Sequence, residues 1–155
     1  MTTMAGVCRF TEINDRARVF ALCDLQDRTQ LVPISVAGEQ SVRGIKCTRE
    51  SHLLELRMSY LPTALRRIFI GLSVPIGHHL GEADFGLRVT FDSNGYHDIP
   101  LPRAQGEGDR YALIAILRRQ GVAWDGRRLR APETYVDRPA LAEVHNVPSW
   151  WRGRA

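Results

Sequence analysis

The chain has 155 residues, 44% of them hydrophobic and 25% charged, with a formal charge of +4 and a pI of about 9.3. That length and mix suit one globular domain with an apolar core and exclude a disordered chain. No apolar run approaches the roughly 18 residues of a membrane-spanning helix, and the N-terminus "MTTMAGVCRFTEINDR" has no basic leader, so neither a span nor a secretory signal is expected and the cytoplasm is the predicted location.

Lys46 is the one lysine among 21 basic residues. An arginine bias of this kind also follows from GC-rich codon usage, and 17 carboxylates are interleaved with the cations. The charge therefore reads mainly as solvated surface, which disfavours a nucleic-acid partner. Cys8, Cys23 and Cys47 are odd in number and irregularly spaced, so neither a disulfide framework nor a zinc site is predicted. Cys23, within an apolar run, is expected to be buried.

The recurring unit is five to eight residues rich in Val, Ile, Leu and Phe, bounded by turn chemistry. "RVFALCDL" (Arg18–Leu25) is the first expected strand, and "QLVPISV" (Gln30–Val36) follows across a polar turn. Pro33 cannot donate to a ladder, which predicts an edge or a bulge there. "HLLELRM" (His52–Met58) precedes a short connection to "RIFIGLSV" (Arg67–Val74), whose two apolar faces predict a central strand. "FGLRVTF" (Phe85–Phe91) and "YHDIPL" (Tyr96–Leu101) flank Asn94-Gly95, a strong hairpin signal. A last hairpin pairs Tyr111–Leu117 with Val122–Leu129 through Gln120-Gly121.

Eight or nine strands with short loops predict an all-β sandwich of two mainly antiparallel sheets. "DRPALAEVHNV" (Asp137–Val147), with Asp137 as N-cap and Pro139 in the first turn, predicts a short C-terminal helix. Residues 1–147 form the expected domain and 148–155 a tail.

Four stretches hold residue types that carry chemistry. "GHHLGEAD" collects His78, His79, Glu82 and Asp84, a set suited to a transition metal but matching no ligand spacing; a polar loop available to a partner is the alternative. "QGEGD" (Gln105–Asp109) lacks the Lys-Ser/Thr and helix of a phosphate loop, so it reads as a connection. No nucleophile turn surrounds Ser35, Ser41, Ser59 or Ser73, and no catalytic residue is assigned. "PSWWRGRA" sets Trp150 and Trp151 beside Arg152 and Arg154: a partner anchor, or a tryptophan folded back on the sandwich.

The segment "ALIAILRRQGVAWDGRRL" resembles the end of the tellurium-resistance (TerD) domain family: an apolar strand, the pair Arg118-Arg119, a turn at Gly121, then Trp124. "HLLELRMSYLPTALRRIFIGLSV", with Leu61-Pro62 at its connection, and "FGLRVTFDSNGYHDIPL" are similar to the two segments that precede it in that family. The likeness runs over residues 15–147 by pattern and order, with few identities. It implies a cytoplasmic bacterial β-sandwich associated with tellurite resistance, chemical stress or phage defence, and does not imply catalysis.

The resemblance also implies calcium, held by a paired-Asp entry motif and an acidic glycine loop. Here Asp15 matches the first Asp, but Ala17 stands at the second. The acidic loop is reduced to Gly38–His52, which keeps Glu39 and Glu50 and brings in Arg43, Lys46 and Arg49. A family strand Asp appears as Arg57. Calcium needs six to eight oxygen ligands, so Asp15, Glu39 and Glu50 are read as the remnant of a lost site. The expected protein takes no cofactor and serves as an adaptor or structural component through protein contacts or self-association. Contact candidates are His78, His79, Glu82, Asp84, Trp150, Trp151 and Arg152. The alternatives are a calcium-responsive protein with a reduced site and an arginine-driven nucleic-acid binder. Arg118 and Arg119 are expected at a solvated rim, and Trp124 in the core, its indole N–H needing an acceptor.

Overall fold

The computed structural model describes residues 2–4, 6–12, 17–26, 29–32, 42–47, 53–74, 86–91, 96–100, 109–121, 123–135, 140, 141 and 144. These hold the strands β1 (Thr2–Met4), β2 (Val7–Glu12), β3 (Arg18–Leu25), β4 (Thr29–Val32), β5 (Ile45–Cys47) and β6 (Leu53–Arg57). After a 3-10 turn over Met58–Tyr60 come β7 (Leu65–Ser73), β8 (Gly86–Phe91), β9 (Tyr96–Pro100), β10 (Tyr111–Gln120) and β11 (Ala123–Tyr135). One sheet runs β1-β11-β10-β7-β3-β4 and the other β5-β6-β2-β8-β9. Each strand pairing is antiparallel.

Side-chain alternation builds the sandwich. In the five-stranded sheet Cys8, Phe10, Leu54, Leu56 and Val89 point inward. They meet Val19, Ala21, Cys23, Ile68, Ile70, Leu72 and Leu117 of the six-stranded sheet in one core. The six-stranded sheet is apolar outside as well: Phe20, Leu22, Phe69, Leu113 and Ile116 form a second cluster with Leu141 packed into it. This is why β3 and β7 read as continuous apolar runs, since strands covered on both faces need no polar side. The outer row ends in charge, where Asp24 lies buried opposite Arg67 and its Oδ2 accepts from Arg67 Nε at 2.7 Å.

Two irregularities tune the six-stranded sheet. The register of β10 shifts between Leu113 and Ala115 against both neighbours, while β11 passes from Arg128 to Glu133 across the same point. The bulge keeps Ile114 in the inner core and lets both Leu113 and Ile116, three apart, reach the outer one. Pro132 lies in that irregular stretch, where no ladder N–H is required. The turn between β10 and β11 uses Gly121 at φ +63, a left-handed conformation that side chains other than glycine's disfavour.

The predicted strands are present with adjusted ends. β3 spans Arg18–Leu25 as expected, and β4 is an edge strand that stops before Pro33. β7 is interior, and β11 extends to Tyr135 instead of ending at Leu129. The count was too low: β1, β2 and β5 were not anticipated. Ala140, Leu141 and Val144 are helical, and the rest of Asp137–Val147 lies outside the described residues.

Cys8 and Cys23 are both fully buried, and burial pushes the Cys23 thiol far above its ordinary value. Cys47 is partly accessible. A thiol-specific colorimetric reagent is therefore expected to titrate Cys47 alone in the native protein and all three cysteines after denaturation. A second fast thiol in the native protein would contradict this packing.

Candidate functional site

The predicted site residues fall in the chain segments between the described strands or after the last of them. Asp15 lies between β2 and β3, Glu39 between β4 and β5, Glu50 between β5 and β6, and His78, His79, Glu82 and Asp84 between β7 and β8. Trp150, Trp151 and Arg152 follow the last described residue. All ten lie outside the described residues, so the structure tests neither the remnant metal set nor the contact set. What is described is the frame beside the first of these gaps, where the start of β3, the end of β7, the start of β10 and the end of β11 form one row: Arg18, Ser73, Tyr111 and Tyr135.

That row is tied by main-chain and polar side-chain bonds. Val74 N–H donates to Arg110 O and Arg110 N–H to Tyr135 O, each at 3.0 Å. The Arg110 guanidinium turns back, donating from Nη2 to Val74 O at 3.1 Å and lying 5.5 Å from the Tyr111 ring centroid. Asp109 is buried and accepts from Thr134 Oγ1 at 2.6 Å. Burial raises the Tyr135 hydroxyl well above its ordinary range, and its donation to the Glu133 carboxylate raises it further. Both carboxylates thus accept from neighbouring hydroxyls. Among the described residues no group of three His, Cys, Asp or Glu side chains could hold a metal ion.

Two positions that set the resemblance apart from calcium binding are described. Ala17 is fully buried, its methyl part of the inner core. A carboxylate there would enter apolar packing, which costs heavily without a partner. Arg57 lies on the outer face of the five-stranded sheet, exposed, with Nε donating to Glu55 Oε1 at 3.2 Å, while Arg9 Nε donates to Glu55 Oε2 at 3.1 Å.

Partial burial raises the Glu55 carboxyl, but the hydrogen bonds and charges of Arg57 and Arg9 outweigh it and hold the group below the ordinary carboxylate range. A depressed carboxyl contributes its stability above the unfolded-state value and loses it as pH falls through the folded one. Glu55→Gln is therefore expected to flatten the acid limb of the stability profile. Because Arg9 and Arg57 are 41% and 60% exposed, the loss at pH 7 should stay under about 1 kcal/mol. Urea unfolding at pH 7 and pH 3 measures both.

At the opposite end of the six-stranded sheet the expectation for Arg119 is corrected. Arg118 is exposed, as a rim residue should be, but Arg119 is not part of a solvated rim. Its Nε donates to Leu65 O at 2.9 Å and Nη2 to Pro62 O at 2.7 Å, and the guanidinium lies 4.7 Å from the Trp124 ring centroid. The reason is parity. Arg119 opposes Trp124 across the hairpin, so both face inward, and the arginine closes the sandwich end over the β6–β7 connection. Trp124 is buried as expected, but its indole N–H finds no acceptor among the described residues.

No family model matches the chain, and no curated protein does. Solved structures do. A homologue of the telluride resistance protein TerD from Streptomyces coelicolor A3(2) superposes with a TM-score of 0.56 at 13% identity, over 93% of this chain and 99% of that one. The fold is TerD-like. A protein of unknown function designated SAV2460 matches similarly, with a TM-score of 0.55, 10% identity and coverage of 89% and 94%. The TerD-like sandwich accounts for the two antiparallel sheets; at these identities the likeness concerns the fold. No helix among the described residues is long and apolar enough to cross a membrane.

Proposed function

We propose that this TerD-like chain is a non-catalytic adaptor or structural component of a bacterial stress-response, tellurite-resistance or phage-defence system, acting in the cytoplasm through protein contacts without calcium. The observation that carries the reading is Ala17: where the resemblance places the second Asp of the calcium entry motif, a methyl group is packed in the core. Arg57 supports it, because a guanidinium replaces another family carboxylate and engages Glu55. Removing the ligands while keeping the sandwich leaves a scaffold whose remaining use is contact. His78, His79, Glu82 and Asp84, together with Trp150, Trp151 and Arg152, are the proposed contact residues.

Calorimetric titration of calcium into the purified chain is expected to be silent. Stoichiometric binding heat would instead favour a calcium-responsive protein built on Asp15, Glu39 and Glu50. Affinity isolation of the tagged chain from its host, with and without a calcium chelator, tests the contact role. The same partners are expected in both conditions, and deletion of 148–155 should weaken their recovery if the tail is the anchor. The absence of any specific partner overturns the adaptor reading.

A further inference from the structure

Among the described residues, two large apolar side chains are exposed, Tyr60 and Val144. Tyr60 is 51% exposed, yet it ends the 3-10 turn Met58–Tyr60 and is flanked by Met58 and Leu61, both buried. Its ring is therefore held out on a backbone that the core fixes on either side. Leu61 N–H donates to Met58 O at 3.5 Å and closes the turn, and Met58 N–H donates to Gly6 O at 3.0 Å, which ties it to the chain entering β2.

A second tight turn lies against the first. Ile45 N–H donates to Val42 O at 3.1 Å, and between them Gly44 has φ +83, a conformation that favours glycine. Gly44 also has no room for a side chain: a Cβ there would lie 3.0 Å from the Tyr60 carbonyl carbon and 3.1 Å from Arg57 O. Arg57 N–H donates to Gly44 O at 2.8 Å, so the two turns are bonded as well as packed. The consequence is the placement of Arg43. It is exposed, and its guanidinium carbon lies 5.7 Å from the Tyr60 ring centroid, within cation–π reach. No carboxylate among the described residues pairs with it, whereas Arg9 and Arg57 share Glu55, and Arg66 and Arg67 share Asp24.

We propose that the Arg43–Tyr60 pair is a docking anchor for a segment of a partner protein that lays an apolar side chain on the exposed part of the ring and a carboxylate on the guanidinium. The proposal rests on the adaptor reading and gives it a surface and a partner chemistry. Charge complementarity decides the carboxylate: an exposed guanidinium without an anionic partner offers a fork of N–H donors that a carboxylate matches. Preorganisation gives the pair its value. Ordering two long side chains at an interface ordinarily costs binding energy, and here two locked turns and the cation–π contact have ordered them beforehand. Tyrosine and arginine are also among the side chains most often found as interface anchors. The surroundings favour a protein over nucleic acid. The neighbouring cations, Lys46 and Arg57, lie beside Glu55, the first opposite it in register and the second bonded to it, and Ser59 and Thr63 are exposed and uncharged. That mixed rim matches a protein segment, whereas a phosphate backbone is met by a continuous track of cations.

The test is a nuclear magnetic resonance titration of the isotopically labelled full chain, read at its backbone amides. The probes are an acetylated, amidated Trp-Glu-Trp-Glu peptide, its Trp-Gln-Trp-Gln counterpart, and oligothymidylate. The acidic peptide is expected to move the amides of 42–45 and 58–61 saturably, and the neutral counterpart to bind about fivefold more weakly. Arg43→Gln and Tyr60→Ala should each weaken the acidic peptide about fivefold, while Arg118→Gln, which removes the same charge from the other sheet, stays within about twofold. Thermal melting checks each variant, and Tyr60→Leu, which keeps an apolar side chain without the ring, replaces Tyr60→Ala if that variant melts early. Shifts centred on other residues, no shift at millimolar acidic peptide, equal binding of the neutral peptide, or tighter binding of oligothymidylate would each overturn the proposal. So would an Arg118→Gln loss equal to that of Arg43→Gln, which would show a response to net charge alone. None of these results touches the adaptor reading, which depends on partner recovery from the host and could stand on another surface. Failed recovery beside a positive titration would strike that reading and leave the anchor.

Discussion

Gly71→Ala is expected to destabilise the protein by about 3 kcal/mol, near the upper end for overpacking a well-filled core. Gly71 sits in the middle of β7, flanked by Phe20 of β3 and Leu113 of β10. A methyl group built there would lie 2.1 Å from the Ala112 carbonyl oxygen and 2.8 Å from Phe20 Cζ. A flexible side chain can yield, but Ala112 O belongs to the paired strand β10 and cannot move without disturbing its ladder. Phe20 is held by the outer cluster and by an edge-on contact with Tyr111 at 6.0 Å between centroids. The absent Cβ is thus the space the Phe20 ring fills. For a domain of this size the melting temperature should fall by roughly 10 °C, measurable by thermal circular dichroism. A companion Phe20→Leu substitution, which frees the ring's space, should recover part of the Gly71→Ala loss but leave the carbonyl clash. A fully stable Gly71→Ala protein would contradict the packing between the two cores.

How much of this was legible beforehand depended on whether a strand announces itself by itself. β3 and β7 did, because burial on both faces leaves unbroken apolar runs, and Pro33 marked β4 as an edge. β2 carries the other signature, alternation: Val7, Arg9 and Thr11 face out while Cys8 and Phe10 are buried. The same pattern in β6 was recognised because more apolar residues accompany it. β5, only Ile45–Cys47, is too short to show a period and is defined by its ladder to β6. The β10 bulge was invisible, since an extra residue leaves no composition signal. The same limit hid Arg119. "LRRQG" gives two adjacent arginines opposite faces, but which one faces in depends on a register that the bulge resets. The pairing of Arg43 with Tyr60 was equally out of reach, because the two residues come from separate turns far apart in sequence.

Trp124→Ala should cost about 4 kcal/mol, the usual scale for emptying a large buried aromatic site, and Arg119 decides how that loss is distributed. The indole fills the end of the inner core and carries the Arg119 guanidinium, whose two donated bonds hold Pro62 O of the β6–β7 connection and Leu65 O at the start of β7. Removing the ring leaves a cavity and a guanidinium without its platform. Arg119→Ala removes charge-assisted bonds to two carbonyls and should cost about 2 kcal/mol. The pair touches, so the losses should not add. A double-mutant cycle is expected to return a coupling near 1 kcal/mol, reflecting the shared cation–π contact. Trp124→Phe separates volume from polarity. It keeps a ring beneath Arg119 and removes an indole N–H that is buried without an acceptor among the described residues, so it should lose clearly less than Trp124→Ala. Urea unfolding of the four members of the cycle and of Trp124→Phe measures all of this. Strict additivity would mean that the arginine and the indole act separately, and that the hairpin is anchored by the apolar core alone.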